Sequence, residues 1–415
     1  MSEVKKDVLA LVSGQRSVEK WTLRSKSVSV EIISLGCVIA AIRTLDRKGQ
    51  SADIVLGFGD LESYLTNSRY FGAVVGRVAN RIAKGQFVIE GKVYNLAINN
   101  GPNSLHGGIR GFDKAVWSCE PVPNGVRLSH MSPNGDEGYP GNLKVSVTYT
   151  LEENTLSVQY CAQTDQTTPI NLTNHSYFNL AGQGAPDIYD HEVSISAEAY
   201  LPVDDNMIPT GEIRPVENSL FDLRKSVLLG SRLKELPGPG FDHNFCLWLP
   251  GQHKQEMKCA RVVHPGTGRV LELSTTQPGV QFYTSNFLDG TVGGKEGTSY
   301  PKHSAFCLET QNWPDAVNQA RLAAMVRAGS RQRKMAPSSI NFPMRTSTGR
   351  QARCQPRGVR HSASVSAPRA QSLCLAASRL PCAGGSMSRE NTECRGDLEN
   401  TSNTLILKQK RTGAM

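Results

Sequence analysis

The sequence predicts an all-β protein, a large antiparallel sandwich or barrel, followed by a tail of different character. Three observations carry this expectation. Segments that alternate apolar and polar residues recur through the first 319 of the 415 residues. Turn-forming clusters separate those segments at strand-like spacing, and no window shows the 3.6-residue periodicity of a long amphipathic helix. Many strands with few helices over so long a span imply two packed sheets or a closed one. No repeat of fixed period is present, which argues against a propeller.

The elements follow in chain order. "SVSVEIISLGCVIAAI" (27–42) reads as strand, and "GDLESYLTN" (59–67) as a short helix capped by Asp60, with Leu61, Tyr64 and Leu65 on one side. "GQFVIEGKVYNL" (85–96) is a hairpin turning near Glu90-Gly91. In "LKVSVTYTL" (143–151), Leu143, Val145, Val147, Tyr149 and Leu151 share one face and Lys144, Ser146, Thr148 and Thr150 the other. After "EEN", Leu156, Val158 and Tyr160 continue the apolar face, which makes a second hairpin, half buried. The turn cluster "SPNGDEGYPGN" (132–142) precedes it, and "RVLELSTTQPGVQFYTSNF" (269–287) supplies further strands.

Residues 320–415 have another composition. They hold 17 Lys and Arg against 4 Asp and Glu, leaving 29 against 33 in residues 1–319, so the net charge of +9 belongs to the tail and the body is mildly acidic. The tail has no Trp or Tyr and a single Phe, Phe342, too few large apolar groups to offset the entropy of ordering a packed domain. Most of it is expected to be disordered, with helix-forming residues in "ARLAAMVRAG" and a possible strand in "NTLILKQK". A basic tail without interleaved aromatics or a motif does not point to nucleic acid. No run of about 18 apolar residues is present, and the N-terminus lacks a signal-peptide pattern. Six cysteines in the body (37, 119, 161, 246, 259 and 307) are scattered, without a CxxC pair. They read as reduced thiols of a cytoplasmic protein.

Histidine, arginine and carboxylate concentrate in "GRVANRIAKG" (76–85), "NSLHGG" (103–108), "NLTNHSYFNLAG" (171–182), "GFDHNFCL" (240–247) and "CLETQNWPDAVNQ" (307–319). Each is flanked by turn formers, which puts its polar residues at strand ends, where sites on a β scaffold are built. The first lacks the Gly-Lys-Ser/Thr ending of a phosphate loop. A metal held by His106, His175, His243 and Glu309 would need long-range assembly, because no pair has ligand spacing. An imidazole and a carboxylate facing one pocket can move two protons in a turnover. Arg and Asp at its rim, with a Trp nearby, suit a polyhydroxylated ligand.

The motifs "FGAVVGRVANRIAKG", "NSLHGGIRGFDK", "NLTNHSYFNL", "GFDHNF", "QPGVQFYTSNFLDG" and "FCLETQNWPDAVN", in this order and spacing, resemble those of the galactose mutarotase (aldose 1-epimerase) family, close to its vertebrate members. The resemblance spans about residues 20–319. It implies a galactose mutarotase-like supersandwich with an open sugar cleft, no cofactor and no metal. It implies interconversion of the α and β anomers of galactose and glucose by a monomer; composition argues against membrane and nucleic acid as partners. It also implies roles: Glu309 as general base, His175 as general acid, and Asn80, Arg81, His106, Asp242 and Gln281 as the residues that hold the sugar. Glu309 ionised and His175 protonated would support each other's charge. His243 lies outside the set and reads as structural.

The resemblance stops after Gln319. The family continues with a Pro-rich segment and an aromatic-rich final strand, and "ARLAAMVRAGSRQRK" stands there instead, as in a splice variant or a shifted reading frame. The expectation is a catalytic domain over 1–319 short of its last strand, with a neighbouring strand left uncovered. A catalytically impaired isoform, or a sugar-binding protein of the same fold, is the alternative reading.

Overall fold

The computed structural model describes residues 2–12, 16–248, 256–319, 333–334 and 338–342, and their regular structure is almost entirely β. The two α-helices among them are Leu61–Thr66 and Leu229–Glu235. The first is the helix expected from sequence: the Asp60 carboxylate accepts the Ser63 backbone N–H at 2.8 Å and caps it. The second has Leu228 at its N-cap and no side-chain capping bond, so it lacks the local signal that marks the first.

Three antiparallel sheets make the body. One is five-stranded and runs in chain order through Glu3–Val12, Arg16–Arg24, Val28–Ile33, Val38–Leu45 and Ser51–Asp53. The largest has ten strands and opens with the meander Ser118–Val122, Gly125–Ser132, Leu143–Glu152 and Thr155–Thr164. Its other half is Val270–Thr275, Met257–Val263, Glu192–Ile195 and Val227–Leu228. The third is five-stranded, ordered Arg214–Pro215, Ala199–Tyr200, Asp242–Cys246, Gly279–Tyr283 and Cys307–Gln311. Leu23 and Val30 of the first sheet, Val147 and Leu273 of the ten-stranded sheet, and Phe245 and Phe282 of the third belong to one buried cluster. Apolar faces of all three sheets therefore close on a common core, as in a sandwich.

Both hairpins form where the alternation places them. Leu143–Glu152 pairs with Thr155–Thr164 in register from Leu143↔Thr164 to Glu152↔Thr155. Leu143, Val145, Val147, Tyr149 and Leu151 are fully buried, and the Tyr149 hydroxyl, carried into the core, donates to the Cys37 carbonyl at 2.9 Å. Gln86–Ile89 pairs with Lys92–Asn95 around Glu90-Gly91. Cys37, Cys119, Cys246, Cys259 and Cys307 are free thiols.

Sequence reasoning leaves the strand next to the missing one uncovered. In the structure Ser338–Asn341, from beyond Gln319, lies between Thr155–Thr164 and Val270–Thr275 and joins the two halves of the ten-stranded sheet. Ile340 stands opposite Leu156 on one side and Leu273 on the other. Ile340 and Phe342 are buried in the main core. The Phe342 backbone N–H donates to the Asn154 carbonyl at 3.0 Å, and the Ser339 hydroxyl to Glu256 at 2.7 Å. Backbone groups and apolar side chains that would face water are thus paired and covered. "ARLAAMVRAG" and "NTLILKQK" lie outside the described residues.

Truncating Ile340 to Ala is expected to cost about 2–4 kcal/mol in denaturant unfolding, the range for a buried aliphatic side chain. A loss below about 0.5 kcal/mol, typical of a surface site, would show that this segment is not part of the core.

Candidate active site

Glu309 is set by its strand. Cys307–Gln311 pairs with Gly279–Tyr283 so that Glu309 stands directly opposite Gln281, and Gln281 opposite Asn244 of Asp242–Cys246. Alternation sends Phe245, Val280, Phe282 and Leu308 into the core and puts Asp242, Gln281 and Glu309 on the other face. The tight fit behind them depends on Gly279, where an added Cβ would lie 2.5 Å from the Asn244 side-chain oxygen.

His175 follows the two-residue strand Thr173–Asn174, which pairs with Val74–Val75. Its backbone N–H donates to the Ala73 carbonyl at 2.8 Å and its carbonyl accepts the Gly72 N–H at 2.9 Å. His106 follows Ser104–Leu105, which pairs with Arg81–Ile82. The next residue, Gly107, has φ +93°, and a Cβ there would lie 1.8 Å from the Gly76 carbonyl oxygen, so only glycine fits. Tyr70, Asn80, His106 and Met207 also have positive φ, between 51° and 62°. All four line one cavity, the clustering of strained backbone that marks ligand sites.

That cavity, about 460 Å³, brings together Asn80, Arg81, His106, His175, Asp242 and Glu309 from strands far apart in sequence. Gln281 does not line it. Gln281 donates through Nε2 to the Asp242 carboxylate at 2.7 Å and so orients Asp242 from behind. Arg81 reaches toward Asp242 at 3.9 Å and donates to the Asn100 side chain at 2.9 Å. His243, on the alternate face of its strand, packs edge-on against Phe221, away from the cavity, in keeping with a structural role. Trp313 is not a sugar platform: it is 1% exposed, clusters with Ala199, Leu201, Cys246 and Ala316, and donates its indole N–H to the Pro278 carbonyl at 3.0 Å. The aromatic rings in the lining are Tyr70, Tyr177, Tyr283 and Phe287. Tyr177 and Tyr283 each follow a singled-out residue by two, the spacing that returns to the same face of a strand, and that was the available signal. Asp205, Asn206 and Met207 also contribute and carry no sequence pattern.

His175 Nε2 and Glu309 Oε1 are 3.6 Å apart, both side chains deeply buried. This is within ion-pair reach but too long for a hydrogen bond. Glu309 Oε2 has no hydrogen-bond partner among the described residues, so the carboxylate is held by its strand and not by donors. Burial pushes the Glu309 carboxyl well above the usual range, helped by the Asp242 charge and opposed by Arg81. Burial likewise pulls His175 down to about 4. Here the structure departs from the sequence expectation of a resting ion pair: desolvation drives both groups toward their neutral forms.

Nitrogen and oxygen atoms of His106, His175 and Glu309 lie within 4.8 Å of one another, the long-range assembly a metal would require. The donor set does not suit one. His106 Nδ1 accepts the Asn80 backbone N–H at 3.1 Å, and burial holds the ring neutral by pulling its pKa well down. The ring proton is then on Nε2, and neither nitrogen has a free lone pair. His106 is instead fixed as a hydrogen-bond donor.

A sandwich with a buried imidazole–carboxylate pair at the base of an Asn-, Arg- and Asp-lined cavity defines an acid–base enzyme of hydroxylated substrates. The sequence profile described as Aldose 1-epimerase matches residues 19–334. The galactose mutarotases of Rattus norvegicus and Homo sapiens are 64% and 62% identical to the chain, over 74% and 75% of it and 90% of their own lengths. The aldose 1-epimerase of Escherichia coli is 34% identical over 72% of the chain and 87% of its own length. Among solved structures, the GalM/aldose epimerase homologue of C. elegans superposes with a TM-score of 0.69 at 28% identity, covering 77% of this chain and 97% of that one. The chain belongs to the aldose 1-epimerase family, and it is an isomerase of aldose sugars. No helix among the described residues is long and apolar enough to cross a membrane.

Replacing Asp242 by Asn removes the negative charge that raises the Glu309 pKa. The Glu309 carboxyl is expected to titrate at lower pH in the variant than in the parent, followed by carbon NMR of labelled glutamate. An unchanged or higher midpoint would show that Asp242 does not act on Glu309.

Proposed function

We propose that the chain interconverts the α and β anomers of galactose, and of glucose, in hexose metabolism, with residues 1–319 together with the strand Ser338–Asn341 as its catalytic unit. The observation that carries the assignment of roles is the 3.6 Å approach of His175 to Glu309 across a cavity lined by polar groups. Glu309 takes the proton of the anomeric hydroxyl while His175 gives one to the ring oxygen. The C1–O5 bond breaks, C1 becomes an aldehyde carbon, and rotation about C1–C2 turns its other face to the C5 hydroxyl. Reclosure returns the protons in reverse. Asn80, Arg81 and Asp242 hold the hydroxyls. His106, a donor through Nε2, reaches the ring-oxygen side. Gln281 acts through Asp242. Their contribution is orientation. The reduced thiols support a cytoplasmic location and the mildly acidic body argues against nucleic acid as its partner, while the family resemblance supports a monomer.

The pair needs one proton, and the working arrangement has it on His175. Burial lowers His175 and raises Glu309, so this arrangement is the minority form of the singly protonated pair, favoured by Arg81 beside the carboxylate. kcat/KM is therefore expected to be bell-shaped, its acid limb below the usual histidine range and its alkaline limb above the usual carboxylate range, both belonging to the pair. An acid limb in the ordinary histidine range would overturn the proton assignment.

Glu309→Gln and His175→Asn are each expected to lower galactose mutarotation by at least about 100-fold, the weight of a positioned acid or base, with the circular dichroism spectrum unchanged. Polarimetry on freshly dissolved α-galactose reads the effect; activity within a few-fold of the parent in either variant would reject the assignment.

A further inference from the structure

The His175 imidazole lies in a cage of rings. Tyr177 stacks on it at 4.9 Å between centroids with planes 11° apart. Tyr70 is also near parallel, at 6.0 Å and 17°. His106 and Tyr283 meet it edge-on at 5.3 and 6.4 Å. Tyr177 has little freedom to leave this position. It is 4% exposed, Phe71 and Tyr283 abut it edge-on at 4.8 and 6.0 Å, and its carbonyl accepts the Leu56 N–H at 2.9 Å.

We propose that Tyr177 is a positioning residue for the reaction, holding the plane of His175 and stabilising its imidazolium through the face of the phenol ring. An aromatic face carries negative potential, and a desolvated cation over it is favoured by about 5- to 30-fold. His175 must hold a positive charge once per turnover in a place where burial disfavours it. The backbone contact that favours its protonation is outweighed by burial, and the charged and titratable groups near it do not make up the difference. His106 is neutral. Glu309 is within ion-pair reach at 3.6 Å, but burial keeps it protonated, and so uncharged, over the range in which His175 gains its proton. Arg81 adds positive charge and sits with Asp242 further along the cavity. The parallel rings are what remain, and of the two Tyr177 at 4.9 Å is in closer contact than Tyr70 at 6.0 Å. The inference rests on the acid–base reading above and adds a residue that never touches a transferred proton.

Three replacements test it: Tyr177→Phe, which keeps the ring face; Tyr177→Leu, which removes it; and pentafluorophenylalanine at position 177, which keeps the shape and reverses the potential of the face. Nitrogen-15 NMR titration of His175 and the pH profile of kcat/KM are measured for each. With Tyr177→Phe both should match the parent. With leucine and with the fluorinated ring, the His175 midpoint should fall. The plateau of kcat/KM should fall with it by about 5- to 30-fold, while the rates well below the acid limb still superimpose on the parent. That pattern distinguishes loss of the imidazolium from general damage, which lowers the rate at every pH. An unmoved His175 midpoint in the fluorinated protein, or a uniform loss, overturns the proposal. A lowered midpoint in a protein whose parent shows no mutarotation would leave the role of Tyr177 standing and sink the reaction assigned to the site.

Discussion

The rest of the site depends on a carboxyl group buried without donors among the described residues. Glu309 is carried into the interior by the register of Cys307–Gln311 against Gly279–Tyr283, and among the described residues no backbone amide or side chain donates to its Oε2. A carboxylate satisfied by several N–H groups would be a poor base, because those bonds favour the ionised form and hold its lone pairs. Leaving it bare raises its proton affinity, and the neighbouring charges then become adjustments: Asp242 adds to the effect and Arg81 tempers it. The same desolvation weakens the basicity of His175. Acid and base are thus made by one cause, acting with opposite sign on groups of opposite charge type.

Around this pair the chain is arranged to be stiff. Arg81 lies on the short strand that pairs with Ser104–Leu105, and the preceding Asn80 donates its backbone N–H to His106, so three cavity residues are tied together. Gln281 braces Asp242 from the sheet below. The left-handed backbone at Tyr70, Asn80, His106 and Met207 costs energy that only the folded surroundings can sustain. A site assembled in this way meets its ligand already in shape, and little of the binding energy is diverted to ordering side chains.

Much of this was legible in the sequence, and for definable reasons. Leu143 to Leu151 announces its buried face because one side of the strand meets the core and the other meets water, and Asp60 announces its helix because capping is local chemistry. The cavity residues were found through motifs, since His106, His175 and Glu309 share no local spacing and meet only through sheet register. What failed was what depends on surroundings. Trp313 looked like a sugar platform from its neighbours in sequence and is a core residue in space. The charges of Glu309 and His175 were assigned by considering only each other, whereas burial dominates both. The strand "SSIN" is four residues long with one large apolar side chain, far below what alternation can reveal, and its place is dictated by the gap it fills.

That last strand has a consequence for how the chain comes together. Among the described residues, Ser338–Asn341 alone bridges the meander that ends at Thr164 and the strands from Glu192 to Thr275. Its partners Leu156 and Leu273 were made long before it on the ribosome. Each half of the sheet therefore waits with an open edge until a late segment arrives, and the pairing that closes it is among the most sequence-distant in the molecule. Such contacts come late and slowly, and exposed edges in the interval invite association with other chains. The yield of this protein is thus tied to the time between the synthesis of Thr275 and of Phe342, a kinetic debt that its equilibrium structure does not display.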